Sequence, residues 1–474
     1  MPETSIIEKF VSIVGNRHAL TDAAEIAPYI AETRGRYDTR SSLVLRPATV
    51  EEISAILKLA TETGTSIVPQ GGNTGLVGAG IPLDSNDDCV MLSLGRLNKI
   101  IDVDPYSNTM TTEAGVILQN LQQAADDVDR LFPLSLGAQG SCQIGGNIGS
   151  NAGGTGVLAY GNTRDLVMGL EVVLPTGEVL NNLSTLRKDN TGYDLKNLFI
   201  GAEGTLGVVT KASLKLFPKP KGTAVGFAGL GSPEDCLTLL NMAKETAGNG
   251  LTGFEFMNAL SMDFTVRHAQ NKTRHPLSEP HNWCVLIEIS SGQSDAHGRE
   301  ILESILSTAF ENETIEDAVV ADSLAQQQAF WTLREDMSWA QKPEGASVKN
   351  DIAVPVGKVP DFIKAADPAV YEIVPEARIV DFGHMGDGNL HYNISQPVGW
   401  TAEQFFAHED ALHDAINELV LKFGGSISAE HGIGQLKRDK LAKIKDPVAL
   451  SLMKRLKREL DPAGIMNPGK VISV

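Results

Sequence analysis

Glycine is concentrated in three stretches of the first half of this chain, at residues 70–80, 137–161 and 201–207. Because glycine has no side chain, neighbouring glycines can direct several backbone N–H groups to one point. Such a group of converging N–H donors, called a nest, binds phosphate oxygens. For any one stretch, a set of tight turns is the better explanation. Two long stretches that combine glycine with asparagine in one domain instead favour a site for a nucleotide-like cofactor.

One glycine pattern does not fit a dinucleotide fold. The only Gly-x-Gly-x-x-Gly occurs at residues 248–253, after a predicted helix at 234–245 and before a predicted strand at 254–256. The dinucleotide fingerprint requires a strand first and a helix second. A Rossmann NAD enzyme is therefore disfavoured, and no Walker-type loop is present.

The pattern of elements predicts an α+β protein with two domains. Short apolar runs alternate with amphipathic helices from Leu43 onward, as in the helix at 51–63 and the strand at 66–69. The Pro- and Lys-rich segment 218–222 is typical of a boundary. We predict one domain over 1–220, with its core at about 38–217, and a second over 221–474.

Charge and composition exclude several classes of partner. The 474-residue chain has a net charge of -19, which opposes binding to nucleic acid or to an anionic membrane surface. No apolar run approaches the roughly 20 residues of a membrane span. Four cysteines without paired spacing indicate a reducing compartment, and no signal peptide is evident. These features predict a cytoplasmic protein.

Two histidines and a later glutamate form a candidate metal site. A strand at 379–382, a turn at 386–389 and a strand at 390–394 would form a hairpin that brings His384 and His391 together. Glu430 would complete a set of two imidazoles and one carboxylate, which suits zinc, manganese or iron. Three unrelated polar residues near turns are an equally good explanation of this spacing by itself.

Five ordered blocks resemble the FAD-linked oxidase family, which has the vanillyl-alcohol-oxidase or PCMH type of flavin domain. They lie at 69–75, 145–154, 188–195, 200–207 and 467–470, and the resemblance runs from about Leu43 to the C-terminus. It implies an α+β fold: a two-subdomain PCMH-type FAD-binding domain, an α+β substrate-binding cap domain, and a C-terminal segment that returns to the flavin.

The resemblance implies FAD as the cofactor, with its diphosphate on the first loop. No histidine lies between His18 and His268 to attach it, so we expect non-covalent FAD, and we interpret Cys142 as a packing residue. The expected cofactor-binding residues are Pro69, Gly71, Gly72, Asn73, Thr74, Gly75, Gly146, Asn147, Ser150, Asn151, Gly153, Glu203, Gly204 and Asn467.

The second half resembles the metal-dependent D-2-hydroxyacid dehydrogenases of that family. The resemblance makes His384, His391 and Glu430 ligands of Zn²⁺, with Mn²⁺ or Fe²⁺ as options. His431 would bind substrate and take the hydroxyl proton while hydride passes to flavin N5, and Asn393 would donate to the substrate carboxylate.

Three further residues match the distal-carboxylate positions of D-2-hydroxyglutarate dehydrogenases. They are Arg334, Ser338 and Lys349, although a threonine is expected where Ser338 stands. The alternative is that the two basic residues are surface charges paired with acids such as Glu335 or Asp351.

These resemblances predict oxidation of D-2-hydroxyglutarate to 2-oxoglutarate, with D-malate as a shorter substrate. The alternatives are a D-lactate or glycolate dehydrogenase, a non-catalytic flavin-binding subunit of a complex, and a metal-free flavin transferase. The expected partners are a small dicarboxylate 2-hydroxyacid, an electron-transfer flavoprotein or quinone as electron acceptor, and a second copy of the chain in a homodimer.

Overall fold

A computed structural model describes residues 4–32, 35–83, 89–268 and 274–474. The chain forms two compact units. The first contains residues 1–154, 161–219 and 430–474, and the second contains 155–160 and 220–429. The predicted limits 1–220 and 221–474 divide the chain once, whereas the structure groups the last 45 residues with the first unit. The domain limits themselves remain predictions.

The strands are β1 Ala19–Leu20, β2 Leu43–Leu45, β3 Ile67–Gln70, β4 Val90–Ser93, β5 Ile100–Asp104, β6 Thr109–Glu113, β7 Arg130–Leu131, β8 Val167–Val173, β9 Val179–Asn182, β10 Val208–Lys215, β11 Phe217–Pro218, β12 Gly222–Leu230, β13 Leu251–Asn258, β14 Trp283–Ser291, β15 Asp317–Val320, β16 Ser347–Val348, β17 Asp351–Ala353, β18 Arg378–His384 and β19 Asn389–Ser395.

The α-helices are α1 Thr4–Val14, α2 Ala23–Ile30, α3 Val50–Thr63, α4 Leu118–Asp126, α5 Ile144–Ser150, α6 Val157–Tyr160, α7 Thr163–Leu166, α8 Lys196–Phe199, α9 Pro233–Ala247, α10 Ala259–His268, α11 Asp295–Glu311, α12 Leu324–Ala340, α13 Val359–Ile373, α14 Ala402–Phe406, α15 Glu409–Lys422, α16 Arg438–Ile444 and α17 Pro447–Leu460. None of the described helices is both long and apolar enough to cross a bilayer.

The first unit is built on two main sheets. One has the order β1-β2-β4-β3, and its β2, β4 and β3 pair in parallel; the other is antiparallel with the order β5-β6-β10-β8-β9. The helix α3 connects β2 to β3. It begins where the Thr49 side chain accepts a hydrogen bond from the Glu52 N–H, and it ends at Gly64 in the left-handed region. This connection delivers the chain directly into the glycine-rich loop after β3.

The second glycine-rich stretch is not simply a loop. Residues Ile144–Ser150 form α5, a helix that glycine content disfavours. A Cβ atom at Gly145 would lie 2.8 Å from the Ala114 Cβ, so this helix approaches β6 and its following turn more closely than a larger residue would allow. Packing on the sheet therefore overrides the low helix propensity.

The second unit contains an eight-stranded antiparallel sheet with the order β15-β12-β14-β13-β18-β19-β16, and β17 also pairs with β19. The hairpin of β18 and β19 corresponds to the predicted one, with β18 three residues longer and β19 two residues longer than predicted. The helix α12 packs against the face of this sheet that carries Phe382, through Phe330, Leu333 and Met337. This face, with α12 above it, positions the candidate residues of the second unit.

Candidate functional site

A cavity in the first unit is the site that the glycine pattern predicts. Its empty volume is about 1090 Å³, part of which is open to solvent. Of the predicted cofactor residues, those in the lining are Pro69, Gly71, Gly72, Asn73, Thr74, Gly75, Gly146, Asn147, Ser150, Glu203 and Gly204, and His431 also lines it. The lining further includes residues the sequence analysis did not select, among them Gln143 and the segment 77–81.

The loop after β3 has the features of a diphosphate nest. Among the described residues, the backbone N–H groups of residues 71–75 donate no hydrogen bond. The Asn73 side chain anchors the loop by donating to the Ala31 carbonyl (2.8 Å), with Asn73 itself at a φ of 52°. A Cβ atom at Gly72 would lie 2.2 Å from the Ser141 carbonyl oxygen, so glycine is required there for the loop to pack. Unpaired N–H groups on a fixed loop suit phosphate oxygens.

The helix α5 provides a second part of the cavity that fits a flavin. Gly146 lines the cavity, and a Cβ atom at this position would have no other atom within 4 Å. The Oε1 of Gln143 and the Oδ1 of Asn147 are buried and have no hydrogen-bond partner among the described residues. Buried acceptors normally have donors, and FAD would offer ribityl hydroxyls and a ring N–H. The residues therefore fit FAD.

Cys142 lies in the same lining but is 2% exposed. Burial raises the pKa of its thiol, which keeps it protonated and poorly nucleophilic. All four cysteines are buried and none forms a disulfide. These features agree with the interpretation of Cys142 as a packing residue.

Glu203 lines the cavity and also holds a loop of the first unit in place. Its two carboxylate oxygens accept hydrogen bonds from the backbone N–H groups of Ile433 (2.7 Å) and Gly434 (2.8 Å). Burial raises the pKa of Glu203, and the two N–H groups act against this rise. A Cβ atom at Gly432 would lie 2.7 Å from the Glu203 Oε1. The carboxylate therefore fixes the loop that begins with Glu430 and His431.

The C-terminal segment is fastened to the cavity wall by buried polar groups. Asn467 donates through Nδ2 to the carbonyls of Ala79 (2.9 Å) and Glu203 (2.7 Å). The Lys457 ammonium donates to the carbonyls of Thr205 and Met466 and to Asp461, each within 2.7 Å.

Three of the predicted cofactor residues lie outside the lining: Asn151, Gly153 and Asn467. Asn151 accepts a hydrogen bond from the Arg164 N–H, and Asn467 supports the wall as just described. Their direct contact with a cofactor remains a prediction.

The second unit brings the two predicted histidine ligands together. The rings of His384 and His391 lie edge to face with centroids 5.4 Å apart, and both are on the α12 face of the sheet. Their strands place them diagonally, since His391 is the register partner of Phe382 and Phe382 precedes His384 by two residues. Two neighbouring imidazoles are a donor pair that zinc, manganese and iron accept.

A carboxylate that the sequence analysis did not select completes this cluster. Glu255 on β13 is the register partner of His384 on β18, and its Oε1 lies 2.7 Å from the His384 Nδ1. Burial alone would raise the pKa of Glu255, but His384 and Arg334 beside it hold that pKa below its usual value. One feature of the sequence could have indicated this residue: Glu255 lies between two phenylalanines in an otherwise apolar strand.

Arg334 is buried, which excludes the alternative of a surface charge for this residue. Its Nη2 lies 2.7 Å from the Glu255 Oε2, and its guanidinium lies 4.9 Å from the centroid of the Phe382 ring. The partner is thus Glu255 rather than Glu335 or Asp351. The Arg334 Nε is buried without a hydrogen-bond partner among the described residues, which suits a ligand with acceptor oxygens.

The other predicted substrate residues lie in different environments. Lys349 is half-buried and donates to the Gln341 side-chain oxygen. Asn393 is buried, and its Oδ1 accepts from the Asn350 N–H, which orients its amide nitrogen as a donor. Ser338 is exposed on α12, one turn after Arg334. Glu430 and His431 belong to the first unit.

Comparison with known families identifies both halves of the chain. Residues 41–182 match the family described as "FAD binding domain", and residues 219–471 match "FAD linked oxidases, C-terminal domain". The second match alone covers more than half of the chain.

Two curated relatives agree with the predicted D-2-hydroxyacid dehydrogenase. The chain is 38% identical over 466 residues to "D-2-hydroxyglutarate dehydrogenase, mitochondrial" of Arabidopsis thaliana, covering 98% of this chain and 81% of the relative. It is also 38% identical over 472 residues to a "D-2-hydroxyglutarate--pyruvate transhydrogenase" of Saccharomyces cerevisiae, covering 98% and 93%.

The predicted cytoplasmic location is wrong. Relatives such as the Arabidopsis protein are named mitochondrial, which points to mitochondria rather than the cytoplasm. The prediction of a reducing compartment depended on the unpaired cysteines, which distinguish reducing from oxidising compartments but not one reducing compartment from another.

A solved structure confirms the fold class. p-Cresol methylhydroxylase with bound substrate superposes with a TM-score of 0.78 at 17% identity, covering 99% of this chain and 96% of that one. At this identity the likeness shows the fold alone, and the fold is the PCMH type. With both family matches, this establishes that the chain belongs to the FAD-linked oxidase family.

Proposed function

We propose that this chain oxidises D-2-hydroxyglutarate to 2-oxoglutarate, with FAD in the first unit and a divalent cation at His384, His391 and Glu430. The observation that carries the proposal is the buried Arg334 beside the imidazole pair of the second unit. A cluster with two imidazoles and a guanidinium suits an anionic oxygen ligand in a chain that is otherwise strongly acidic. The names of the relatives agree with it.

Chain continuity supports Glu430 as the third ligand. The segment before it runs beside β17, where Ser426 and Ala353 form a bridge and the Ala429 N–H donates to the Asp351 carbonyl. Asp351 is the register partner of His391. Glu430 follows Ala429 directly, and a peptide unit spans about 3.8 Å between Cα atoms.

When bound, FAD would supply an acceptor for the hydride of the substrate carbon, and a divalent cation held by His384, His391 and Glu430 would supply Lewis acidity at the substrate hydroxyl. A residue of the chain must accept the proton that the substrate hydroxyl releases. We assign the 2-hydroxyl proton to an imidazole nitrogen of His431, because imidazole exchanges protons near neutral pH and this residue lines the cofactor cavity. Glu203 holds the loop that presents it.

The second carboxylate of the substrate would be bound by Arg334 and Lys349, with Ser338 adding a hydroxyl. Lys349 would exchange its hydrogen bond to Gln341 for one to the carboxylate, which charge assistance makes stronger. Asn393 would donate its amide to the carboxylate next to the reacting carbon. D-Malate has the same two carboxylates on a shorter chain, whereas D-lactate and glycolate lack the second one.

Reoxidation of the flavin has two candidate routes. An electron-transfer flavoprotein or a quinone is the acceptor that we expect. A 2-oxoacid is the alternative, because the similar yeast protein is named a transhydrogenase with pyruvate. Reoxidation of the reduced enzyme by pyruvate, measured without another acceptor, distinguishes the two.

The decisive test is anaerobic bleaching of the flavin absorbance by D-2-hydroxyglutarate, D-malate, D-lactate and glycolate. We expect fast bleaching by the two dicarboxylates and a loss of about 10- to 150-fold in efficiency for Lys349→Ala, the value of one charge-assisted hydrogen bond. Lys364→Ala is the matched control, since Lys364 is an exposed lysine of the same unit that pairs with Glu234.

Other results would redirect the proposal. Bleaching by D-lactate or glycolate alone would replace the substrate and keep the enzyme class. No bleaching by any acid would favour a non-catalytic flavin-binding subunit. Full turnover of His384→Ala after chelator treatment would remove the metal from the mechanism and favour a metal-free flavin enzyme.

A further inference from the structure

We propose that Glu255 is a positioning residue that holds a metal ligand with one carboxylate oxygen and the substrate-binding arginine with the other. The inference rests on the proposed function, because it takes His384 as a ligand and Arg334 as a contact of the substrate. It adds Glu255 as the residue that connects the metal ligand His384 with the substrate contact Arg334.

The geometry is set by the sheet and by α12. Glu255 stands directly opposite His384 in the β13–β18 ladder, and its Oε1 is 2.7 Å from the His384 Nδ1. The helix α12 packs over the same face and brings the Arg334 Nη2 to 2.7 Å from the other oxygen. The Glu255 side chain is 1% exposed, so both contacts are screened very little by solvent.

The contact with His384 determines which nitrogen can bind a metal. A carboxylate at Nδ1 favours the tautomer that carries hydrogen there, and ligation then falls to Nε2. The same contact fixes the plane of the ring and increases its basicity as a ligand. Loss of the carboxylate would therefore weaken metal binding even though every ligand remains.

The contact with Arg334 determines how the guanidinium is presented. Glu255 engages Nη2, and the ring of Phe382 lies under the guanidinium plane, so two sides of the group are fixed. Neither Nε nor Nη2 forms a hydrogen bond of regular geometry among the described residues, although Nη2 is in the ion pair with Glu255, so the guanidinium can still donate to an incoming oxygen. Without Glu255, the guanidinium would lose its buried counterion, which is strongly destabilising for an ion in such a site.

One carboxylate therefore serves metal binding and substrate binding together. Its removal should raise the dissociation constant for metal and also change the KM for the dicarboxylate substrate. A residue that only stabilised the sheet would alter neither quantity in a folded, flavin-loaded protein.

The experiment measures the Zn²⁺ dissociation constant by chelator competition on FAD-loaded wild type, Glu255→Gln and Glu255→Asp. We expect Glu255→Gln to raise that constant by about 10- to 100-fold, the usual effect of losing such a partner of a ligand. The shorter Glu255→Asp keeps the charge, and we expect it to recover part of the affinity. FAD content and the melting temperature of the metal-depleted proteins show that each variant is folded.

Glu288→Gln is the matched control. Glu288 is a buried glutamate on the adjacent strand β14, and it accepts hydrogen bonds from Thr252 and from the Trp331 indole (both 2.8 Å) without touching His384. The Thr252 hydroxyl can accept as well as donate a hydrogen bond, so a glutamine at position 288 can keep both contacts. We expect its Zn²⁺ dissociation constant to stay within about twofold of wild type.

The same proteins separate a failure of this inference from a failure of the proposed function. A Zn²⁺ dissociation constant for Glu255→Gln within twofold of wild type would overturn the role of Glu255 while leaving the metal site intact. Absence of Zn²⁺ binding by the wild type would overturn the metal site itself. A KM for D-2-hydroxyglutarate that changes with Glu255→Gln, but not with Glu288→Gln, supports the contact through Arg334.

Discussion

Replacement of Glu203 by glutamine tests whether one carboxylate fixes the loop that carries His431. The two oxygens each accept one backbone N–H, at 2.7 and 2.8 Å, and glutamine offers only one oxygen. One N–H would then face an amide NH₂ and lose a bond of the kind that contributes about 1.5–3 kcal/mol. That loss corresponds to a decrease of about 10- to 150-fold in the equilibrium constant between the ordered and the open loop.

The effect on global stability should be much smaller. Burial raises the pKa of Glu203, which means that the ionised group is costly in the folded protein. Glutamine removes this cost and so offsets much of the lost hydrogen bond. We therefore expect a melting temperature close to that of wild type and a large change confined to the loop.

Three measurements follow the variant: anaerobic flavin reduction by D-2-hydroxyglutarate, the FAD dissociation constant, and hydrogen exchange of the amides at 433 and 434. We expect reduction slower by at least about 10-fold, near-normal FAD binding, and faster exchange at these two amides. Glu171→Gln is the control, since Glu171 is a buried glutamate of the same unit that contacts Thr210 and Lys211 outside the cavity lining. Reduction within twofold of wild type together with unchanged exchange would refute the reasoning.

Three further predictions concern the cavity and two buried charges. Gly146→Ala should melt like wild type but bind FAD more weakly in a titration, because its Cβ would meet no protein atom and would occupy space in the cavity. Gly72→Ala should destabilise the fold, because its Cβ would lie 2.2 Å from a backbone oxygen. Equal FAD affinity for Gly146→Ala and wild type would contradict the assigned cavity. Burial raises the pKa of Asp381 well above its usual value, and both of its oxygens lack partners among the described residues, so wild-type stability should fall as pH rises from about 4 through the folded pKa. Asp381→Asn should remove this dependence and raise the melting temperature at pH 8.5 relative to wild type, with little difference near pH 4; an equal difference at both values would disprove it. Lys457→Met should cost about 3–5 kcal/mol in chemical denaturation, because it leaves the buried Asp461 carboxylate without its counterion, and a loss below 1 kcal/mol would be inconsistent with that pairing.

The parts of the site that depend on local sequence could be predicted. The β18–β19 hairpin has a turn with glycines and a period of two, so its strands and the approach of His384 to His391 follow from neighbouring residues. The glycine loop after β3 could likewise be identified from its composition. Both features are determined by short, contiguous segments of the chain.

The parts that depend on distant pairing could not be predicted. Glu255 meets His384 across 129 residues, and Glu203 meets the Ile433 N–H across 230, so neither contact leaves a pattern in the sequence. The helix α5 was missed for a related reason, because its glycines are explained by close packing on the sheet rather than by turns. Resemblance supplied the FAD-linked oxidase family, which periodicity alone could not.

The first unit is built from both ends of the chain, and this has a consequence for its biosynthesis. Residues 430–474 belong to the unit that begins the chain, and they contribute His431 to the cavity and Asn467 to its wall. A ribosome must therefore complete the entire second unit before the flavin cavity can close. Sequence separations of this size slow folding, and an incomplete cavity leaves apolar surface exposed. A chain that stalls before residue 430 would therefore present an incomplete first unit to chaperones and proteases.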